Sequence, residues 1–206
     1  MIDYFAQTSQ WRRRELISIK QSIQDSRSHE ETLLCRVAVV FSYAHWEGFV
    51  KDAATAYVSY VAFKAPVVEK LTSNFQALLF RSQILSCQKT TRRIKPHLEL
   101  LNDFLESLSR QAKIKTENSI DTESNLSAEV FENICLTIGV DYSSYWHIYE
   151  PRINELVKIR CAIAHGEQRV LERKYAVEIL DFIQNSITHF RTDIENAIVS
   201  DAYLRS

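Results

Sequence analysis

The sequence has little of the two residues that most often shape turns. Glycine and proline each occur three times among 206 residues. Sheets and tight hairpins usually need more turn residues than this, whereas helices need few. The scarcity therefore favours an all-α bundle and leaves little room for strands. The length suits one domain, residues 1–206, that is large enough to bury a full hydrophobic core.

A strong net charge and a long uninterrupted apolar run are also absent. The formal net charge is −1, unlike the basic balance that many nucleic-acid-binding domains carry. Contact with nucleic acid would therefore be confined to a local cleft or supplied by a partner. The most apolar stretch, residues 37–63, is interrupted by His45, Glu47, Lys51 and Asp52. Such interruptions argue against a lipid-exposed span, so no membrane association is expected.

Cysteine patterns that would indicate zinc or disulfides are missing as well. The four cysteines form no CxxC pair and lack the spacing of metal ligands; they are Cys35, Cys87, Cys135 and Cys161. We interpret them as reduced thiols of a cytoplasmic protein. The N-terminus has neither the basic nor the apolar region of a signal peptide. The sequence thus predicts a cytoplasmic protein without a bound metal or cofactor.

Apolar residues at steps of three and four predict six to eight helices. The predicted helices span about residues 3–26, 33–63, 66–87, 98–108, 128–137, 145–165 and 172–203. The second is apolar nearly all round, which is typical of a helix at the centre of a bundle. Its main stripe is assigned to Leu33, Val37, Val40, Ala44, Glu47, Lys51, Ala54, Val58 and Val61.

Polar segments separate these helices. Residues 113–127 are predicted to form an inserted polar loop, with a short extended piece around Ile114 and Ile120 as an option. Ser127 suits the N-cap of the next helix, and Gly139 suits its C-terminal stop. The basic run 12–14 near the N-terminus is interpreted as a solvated helix face rather than a phosphate-binding patch.

Two polar side chains break the apolar faces of the helix that ends before Gly166. Arg160 interrupts the stripe Ile153, Leu156 and Ile163, and His165 ends the neighbouring one. A guanidinium on a core-facing stripe is costly unless it is paired or lies at an interface, which predicts a symmetric homodimer. The two residues lie roughly 140° apart around the helix. A second copy of the helix, packed antiparallel, would bring Arg160 and His165 of both copies into one cleft.

Arg160 and His165 suit metal-independent cleavage of RNA. A helix C-terminus favours a protonated imidazole, and histidine transfers protons near neutral pH. Arginine can bind a phosphate with two donors and stabilise developing charge. Attack by the 2′-hydroxyl would require RNA, because DNA lacks that group. The RxxxxH pattern alone is weak, since an arginine in a salt bridge and a capping histidine would give it too.

The surroundings of the pair resemble the HEPN superfamily. The resemblance is carried by three blocks, Ser42–Lys51, Thr122–Leu126 and Arg160–Glu167, which stand in the family's order. The first two blocks look like a stand-alone bacterial branch associated with defence and toxin–antitoxin loci. The resemblance implies an all-α HEPN fold with a long central helix, a homodimer, an RNA substrate, and an antitoxin or co-encoded defence protein as partner. The family often has asparagine where this chain has Cys161, and some members are non-catalytic.

Five further residues are candidate supporting groups of the site. Glu47 would either orient Arg160 or His165, or pair with Lys51. Ser124 and Asn125 would either line the site from the loop or, as we favour, cap the following helix. Cys161 and Glu167 flank the catalytic candidates in the sequence. His45 is interpreted as a core histidine. The sequence therefore predicts a metal-independent endoribonuclease, and the alternatives are a non-catalytic nucleotide-binding or protein-interaction module and a structural helical subunit.

Overall fold

The chain folds into helices joined by irregular segments. A computed structural model describes residues 1–89 and 92–205. Within those ranges the regular structure is seven α-helices, two 3-10 turns (Val68–Lys70 and Trp146–Tyr149) and isolated β-bridges. The all-α prediction is thereby confirmed. The helices are α1 (Ile2–Asp25), α2 (Ser28–Lys64), α3 (Ser73–Lys89), α4 (Ile94–Ser107), α5 (Ala128–Ile138), α6 (Glu150–Ala164) and α7 (Arg173–Val199).

Helix α2 is the centre of the fold. Its 37 residues make it about 55 Å long, and it packs against α1, α5, α6 and α7. The predicted stripe is wrong as far as Lys51, because Leu33, Ala44 and Lys51 are exposed. The buried face there begins instead at Cys35 and continues through Ala38, Val39, Ser42, Trp46 and Phe49. Because the helix is apolar on nearly every side, periodicity alone does not select the face that the neighbouring helices cover.

An aromatic cluster joins α2 to the later helices. The Trp46 ring lies 5.0 Å from Phe131 of α5, 5.7 Å from Trp146 and 6.2 Å from Phe190 of α7, measured between centroids. All four side chains are almost fully buried. The contacts with Phe131 and Phe190 are edge-on and the contact with Trp146 is tilted. Aromatic pairs of this kind stabilise the fold beyond the burial of their apolar surface. The cluster holds Trp146, just before α6, against α2 and so helps to fix the start of α6.

The segment that precedes α3 differs from its prediction. The helix expected from residue 66 begins at Ser73, and residues 66–72 are irregular apart from the 3-10 turn. Their backbone N–H groups bond to distant segments, from Val68 to the carbonyl of Arg110 and from Thr72 to that of Tyr203. These bonds satisfy the backbone without a helix. The seven residues consequently tie the α4–α5 connection to the C-terminal end of the chain.

The basic run near the N-terminus is only partly a solvated face. Arg13 and Arg14 are exposed, as predicted, but Arg12 is buried between α1 and α2. Its guanidinium donates to the Asp52 carboxylate at 2.6 Å and lies 4.4 Å from the Trp11 ring. A buried charge needs such a partner. Arg12 is therefore part of the α1–α2 contact.

The predicted polar loop packs against the body of the protein. Residues 113–127 are irregular, and the optional extended piece does not pair as a strand, yet Ile114, Ile120 and Leu126 are buried. The predicted caps of α5 are confirmed: Ser127 Oγ accepts from the Val130 N–H, and Gly139 is left-handed with φ +72°. Among the helices described, none combines the length and hydropathy needed to cross a membrane.

Candidate active site

The C-terminal end of α6 holds His165 in a defined backbone position. Gly166 adopts φ +83°, its N–H bonds to the carbonyl of Ile163 (3.0 Å), and the Glu167 N–H bonds to that of Ala162 (2.9 Å). This pair of bonds is a Schellman motif, which favours glycine because its φ is positive. His165 is the C-cap residue, and its side chain is exposed. The motif therefore fixes the backbone of His165, and the imidazole is accessible to solvent.

Arg160 lies one turn before that end and is held by α2. Its Nη2 atom is 3.8 Å from Glu47 Oε2, and its Cζ atom is 3.9 Å from the centre of the Tyr43 ring. The exposed fractions of the Arg160 and Glu47 side chains are 21% and 23%. Of the three partners predicted for Glu47, which were Arg160, His165 and Lys51, the structure places Arg160 beside it. The guanidinium is therefore compensated within its own chain, so burial of its charge does not itself require a dimer.

Tyr43 belongs to this site, although the sequence analysis did not single it out. Its ring supports the Arg160 guanidinium, and its hydroxyl accepts a 2.7 Å hydrogen bond from the Leu126 N–H. Burial raises the pKa of the Tyr43 hydroxyl above its ordinary value, and Glu47 acts in the same direction. The group is thus a neutral phenol that links α2, α6 and the loop. The four-residue step from Tyr43 to Glu47 places both on one face of α2.

The loop before α5 reaches the site from the other side. The Ser124 carbonyl lies 3.5 Å from Arg160 Nη2, and the Cys161 thiol donates to Asn125 Oδ1 at 3.3 Å. The favoured prediction that Ser124 and Asn125 cap α5 is wrong, because Ser127 is the N-cap. Glu123 and Ser124 both have positive φ, 50° and 65°. This left-handed pair turns the chain so that the Ser124 carbonyl faces α6.

Glu167 and His45 lie away from the Arg160 side chain. The Glu167 carboxylate pairs with Arg169 at 3.1 Å, while its carbonyl accepts from Arg36 Nη2 at 3.3 Å. His45 is buried between α1 and α2, with its Nε2 atom 3.1 Å from Glu15 Oε2 and without hydrogen-bond geometry. Burial lowers the pKa of His45, against the opposing effect of Glu15. This placement agrees with its interpretation as a core histidine.

The arrangement offers one guanidinium and one accessible imidazole on the same helix end. Within residues 1–89 and 92–205, no group of three or more His, Cys, Asp or Glu side chains is placed to hold a metal ion. The guanidinium contacts, at 3.5–3.9 Å, are longer than strong charge-assisted hydrogen bonds. Arg160 therefore keeps donors that a phosphate could take.

A family model described as RiboL-PSP-HEPN matches residues 7–196. The chain belongs to this HEPN family. The match begins within α1, extends through most of α7 and includes every candidate site residue. HEPN domains are generally ribonucleases or nucleotide-binding modules. No curated protein and no solved structure matches the chain. The family and the fold are thus established, and the reaction has to be argued from the site.

Proposed function

We propose that this HEPN protein is a metal-independent endoribonuclease whose catalytic residues are Arg160 and His165. The observation that supports it most is the joint position of the two side chains at the end of α6, one held against α2 and the other exposed. A phosphate needs a pre-oriented cation, and proton transfer needs an accessible group. The site supplies one of each.

The reaction proceeds through the substrate's own 2′-oxygen. His165 accepts the 2′-hydroxyl proton as the 2′-oxygen–phosphorus bond forms. The bond from phosphorus to the 5′-oxygen breaks, and that oxygen takes up a proton as it leaves. Arg160 stabilises the negative charge that develops on the phosphoryl oxygens. The products are a 2′,3′-cyclic phosphate and a 5′-hydroxyl.

The chemistry also gives a reason for the homodimer. Cleavage needs one group to accept a proton and a second to return one to the leaving oxygen. A two-fold arrangement of α6 would supply two copies of His165 to one cleft, and two-fold pairs are the commonest assemblies. We accordingly propose a homodimer, acting in bacterial defence or as a toxin controlled by an antitoxin, in the cytoplasm.

Cys161 favours a second candidate function, a non-catalytic nucleotide-binding or protein-interaction module. Its thiol bonds to Asn125 and lies 3.8 Å from Arg160 Nη1. The asparagine that the HEPN family often carries at this position would offer a stronger donor. A chain that binds nucleotide through Arg160 and leaves RNA uncut would have this second function.

Labelled RNA incubated with the purified protein separates the two functions. Wild-type protein is expected to cleave in the presence of EDTA, because the mechanism uses only two side chains and the RNA. His165→Ala should reduce the rate by about 10²–10⁴-fold, the usual contribution of a proton-transfer group. His147→Ala is the matched control, since this exposed histidine lies before the opposite end of α6. Binding without cleavage would favour the module, and equal rates for the two variants would remove His165 from the mechanism.

A further inference from the structure

Helix α4 exposes an apolar stripe on its outer side. Ile94, Leu98, Leu101 and Leu105 have exposed fractions of 71%, 49%, 53% and 55%. Their spacing of four, three and four residues places them on one face. The partly buried residues of α4, among them Leu100 and Phe104, pack on the other side toward α3. An apolar face of this kind is typical of a surface that another protein covers.

The charges of α4 are arranged against its own dipole. Arg92, Arg93 and Lys95 lie at its N-terminal end, Glu99 lies near its middle, and Asp103 and Glu106 lie in its second half. A helix dipole favours anions near the N-terminus and cations near the C-terminus, so this order is unfavourable within a single helix. Glu106 is offset in part by Arg110, 3.6 Å away, and Glu99 by Lys95, 3.8 Å away. Of the charges named, Arg92 and Arg93 at the N-terminal end and Asp103 in the second half remain outside these two pairs.

An antiparallel copy of the same helix corrects this arrangement. It places the basic end of each α4 beside the acidic half of the other. The apolar stripes of the two copies then face each other, with the two-fold axis between Glu99 and Leu100. Ile94 of each copy lies near Leu105 of the other, and Leu98 lies near Leu101. We propose that the outer face of α4 is a docking surface for α4 of a second copy of this chain, in antiparallel orientation.

A neighbouring groove gives the contact more depth. Between α3 and α4 lies an open apolar groove of about 420 Å³, whose lining includes Phe80, Ile84, Leu101 and Phe104. Side chains of the second copy can enter it beside the stripe. One helix pair buries a small area, which places the contact among weak and transient interfaces. We therefore expect association that increases with protein concentration and falls with added salt, because the complementary charges lie at the exposed rim.

Sedimentation equilibrium tests the apolar part of the contact. Leu98→Glu/Leu101→Glu should lower the average mass at every protein concentration compared with wild type. Both side chains are half exposed, so the fold should be unchanged, as helical circular dichroism would verify. Val199→Glu is the control, because this residue is 75% exposed at the end of α7. An unchanged mass for the double variant would overturn the proposal.

Charge reversal identifies the occupant of the surface. One variant carries Arg92→Glu, Arg93→Glu and Lys95→Glu, and the other carries Asp103→Lys and Glu106→Lys. Each alone should have a lower average mass than wild type, because both halves of its α4 then have one sign and the α4 contact is lost, while the proposed α6 contact is unchanged. An equimolar mixture should regain the wild-type mass, since the two copies now complement each other at both ends. A mixture whose average mass stays below that of wild type would exclude antiparallel α4 pairing and leave a different protein as the occupant. RNA cleavage is a separate readout, because these variants leave Arg160 and His165 unchanged.

Discussion

Gly166→Ala is expected to slow RNA cleavage while costing little stability. The substitution forces alanine into φ +83°, but nothing lies within 4 Å of the new methyl group. The cost is therefore backbone strain alone, about 1 kcal/mol in the free energy of unfolding. For a chain of this length, that shift lowers Tm by roughly 2–4 °C. Relief of the strain would unwind the end of α6 and displace His165.

The expected effect on cleavage is larger, because catalysis depends on position. A misplacement of about 1 Å can cost about 10²-fold in rate, so a loss of at least ~10-fold is expected for Gly166→Ala. Single-turnover cleavage of labelled RNA, measured well below both melting temperatures, would determine it.

Gly139→Ala provides the matched control at the end of α5. It imposes similar strain at φ +72°, and its new Cβ would in addition lie 3.0 Å from Nδ2 of Asn74, whose amide donates to the Thr137 carbonyl. Gly139→Ala should therefore be the less stable variant and yet the faster ribonuclease. Cleavage of RNA by Gly166→Ala at the wild-type rate, or a lower stability for Gly166→Ala than for Gly139→Ala, would contradict this prediction.

Three other substitutions test the site and the core. Glu47→Gln should slow cleavage because Arg160 loses its counter-charge, while unfolding free energy changes by less than about 1 kcal/mol, as for other partly exposed pairs; a wild-type rate would show that Glu47 does not position Arg160. Phe131→Ala should cost about 3–5 kcal/mol in urea unfolding, because the side chain is fully buried among aromatic rings; a loss below about 1 kcal/mol would contradict that packing. His45→Phe should flatten the pH dependence of stability. Burial lowers the pKa of His45, so its stabilising contribution is complete above the ordinary value of about 6.5 and is lost as the pH falls. Urea unfolding at about pH 7.5 and 5.5 would measure this dependence. An equal change in the free energy of unfolding between the two pH values for variant and wild type would contradict the prediction.

The local features of the fold were predictable from the sequence, whereas the distant hydrogen-bond partners of backbone and side-chain groups often were not. Ser127 and Gly139 mark the ends of α5 through their own chemistry, so both were predicted correctly. The bonds from residues 66–72 go to carbonyls about 40 and 130 positions along the chain, as for Val68 and Thr72. Periodicity carries no information about such contacts, and it predicted a helix there instead.

In the candidate site, too, the sequence indicated single residues but not the contacts between distant segments. Arg160 and His165 were proposed as catalytic residues chiefly from the family resemblance, because their spacing alone is a weak pattern. The Tyr43 ring beneath Arg160 was missed, because an aromatic residue on an apolar helix is usually core and only the α2–α6 packing reveals its other face. The choice between Lys51 and Arg160 as the partner of Glu47 likewise depends on where α6 crosses α2.

The chemistry of the cleaved ends tests the central proposal most directly. A short RNA of defined sequence, cut by the wild-type protein in EDTA, would be analysed by mass spectrometry. The same RNA with a single 2′-deoxy nucleotide on the 5′ side of the cut would serve as the matched substrate. We predict a 2′,3′-cyclic phosphate and a 5′-hydroxyl from the first RNA, and no cut at that position in the second. Cleavage at the deoxy position, or ends bearing a 5′-phosphate, would contradict attack by the 2′-oxygen.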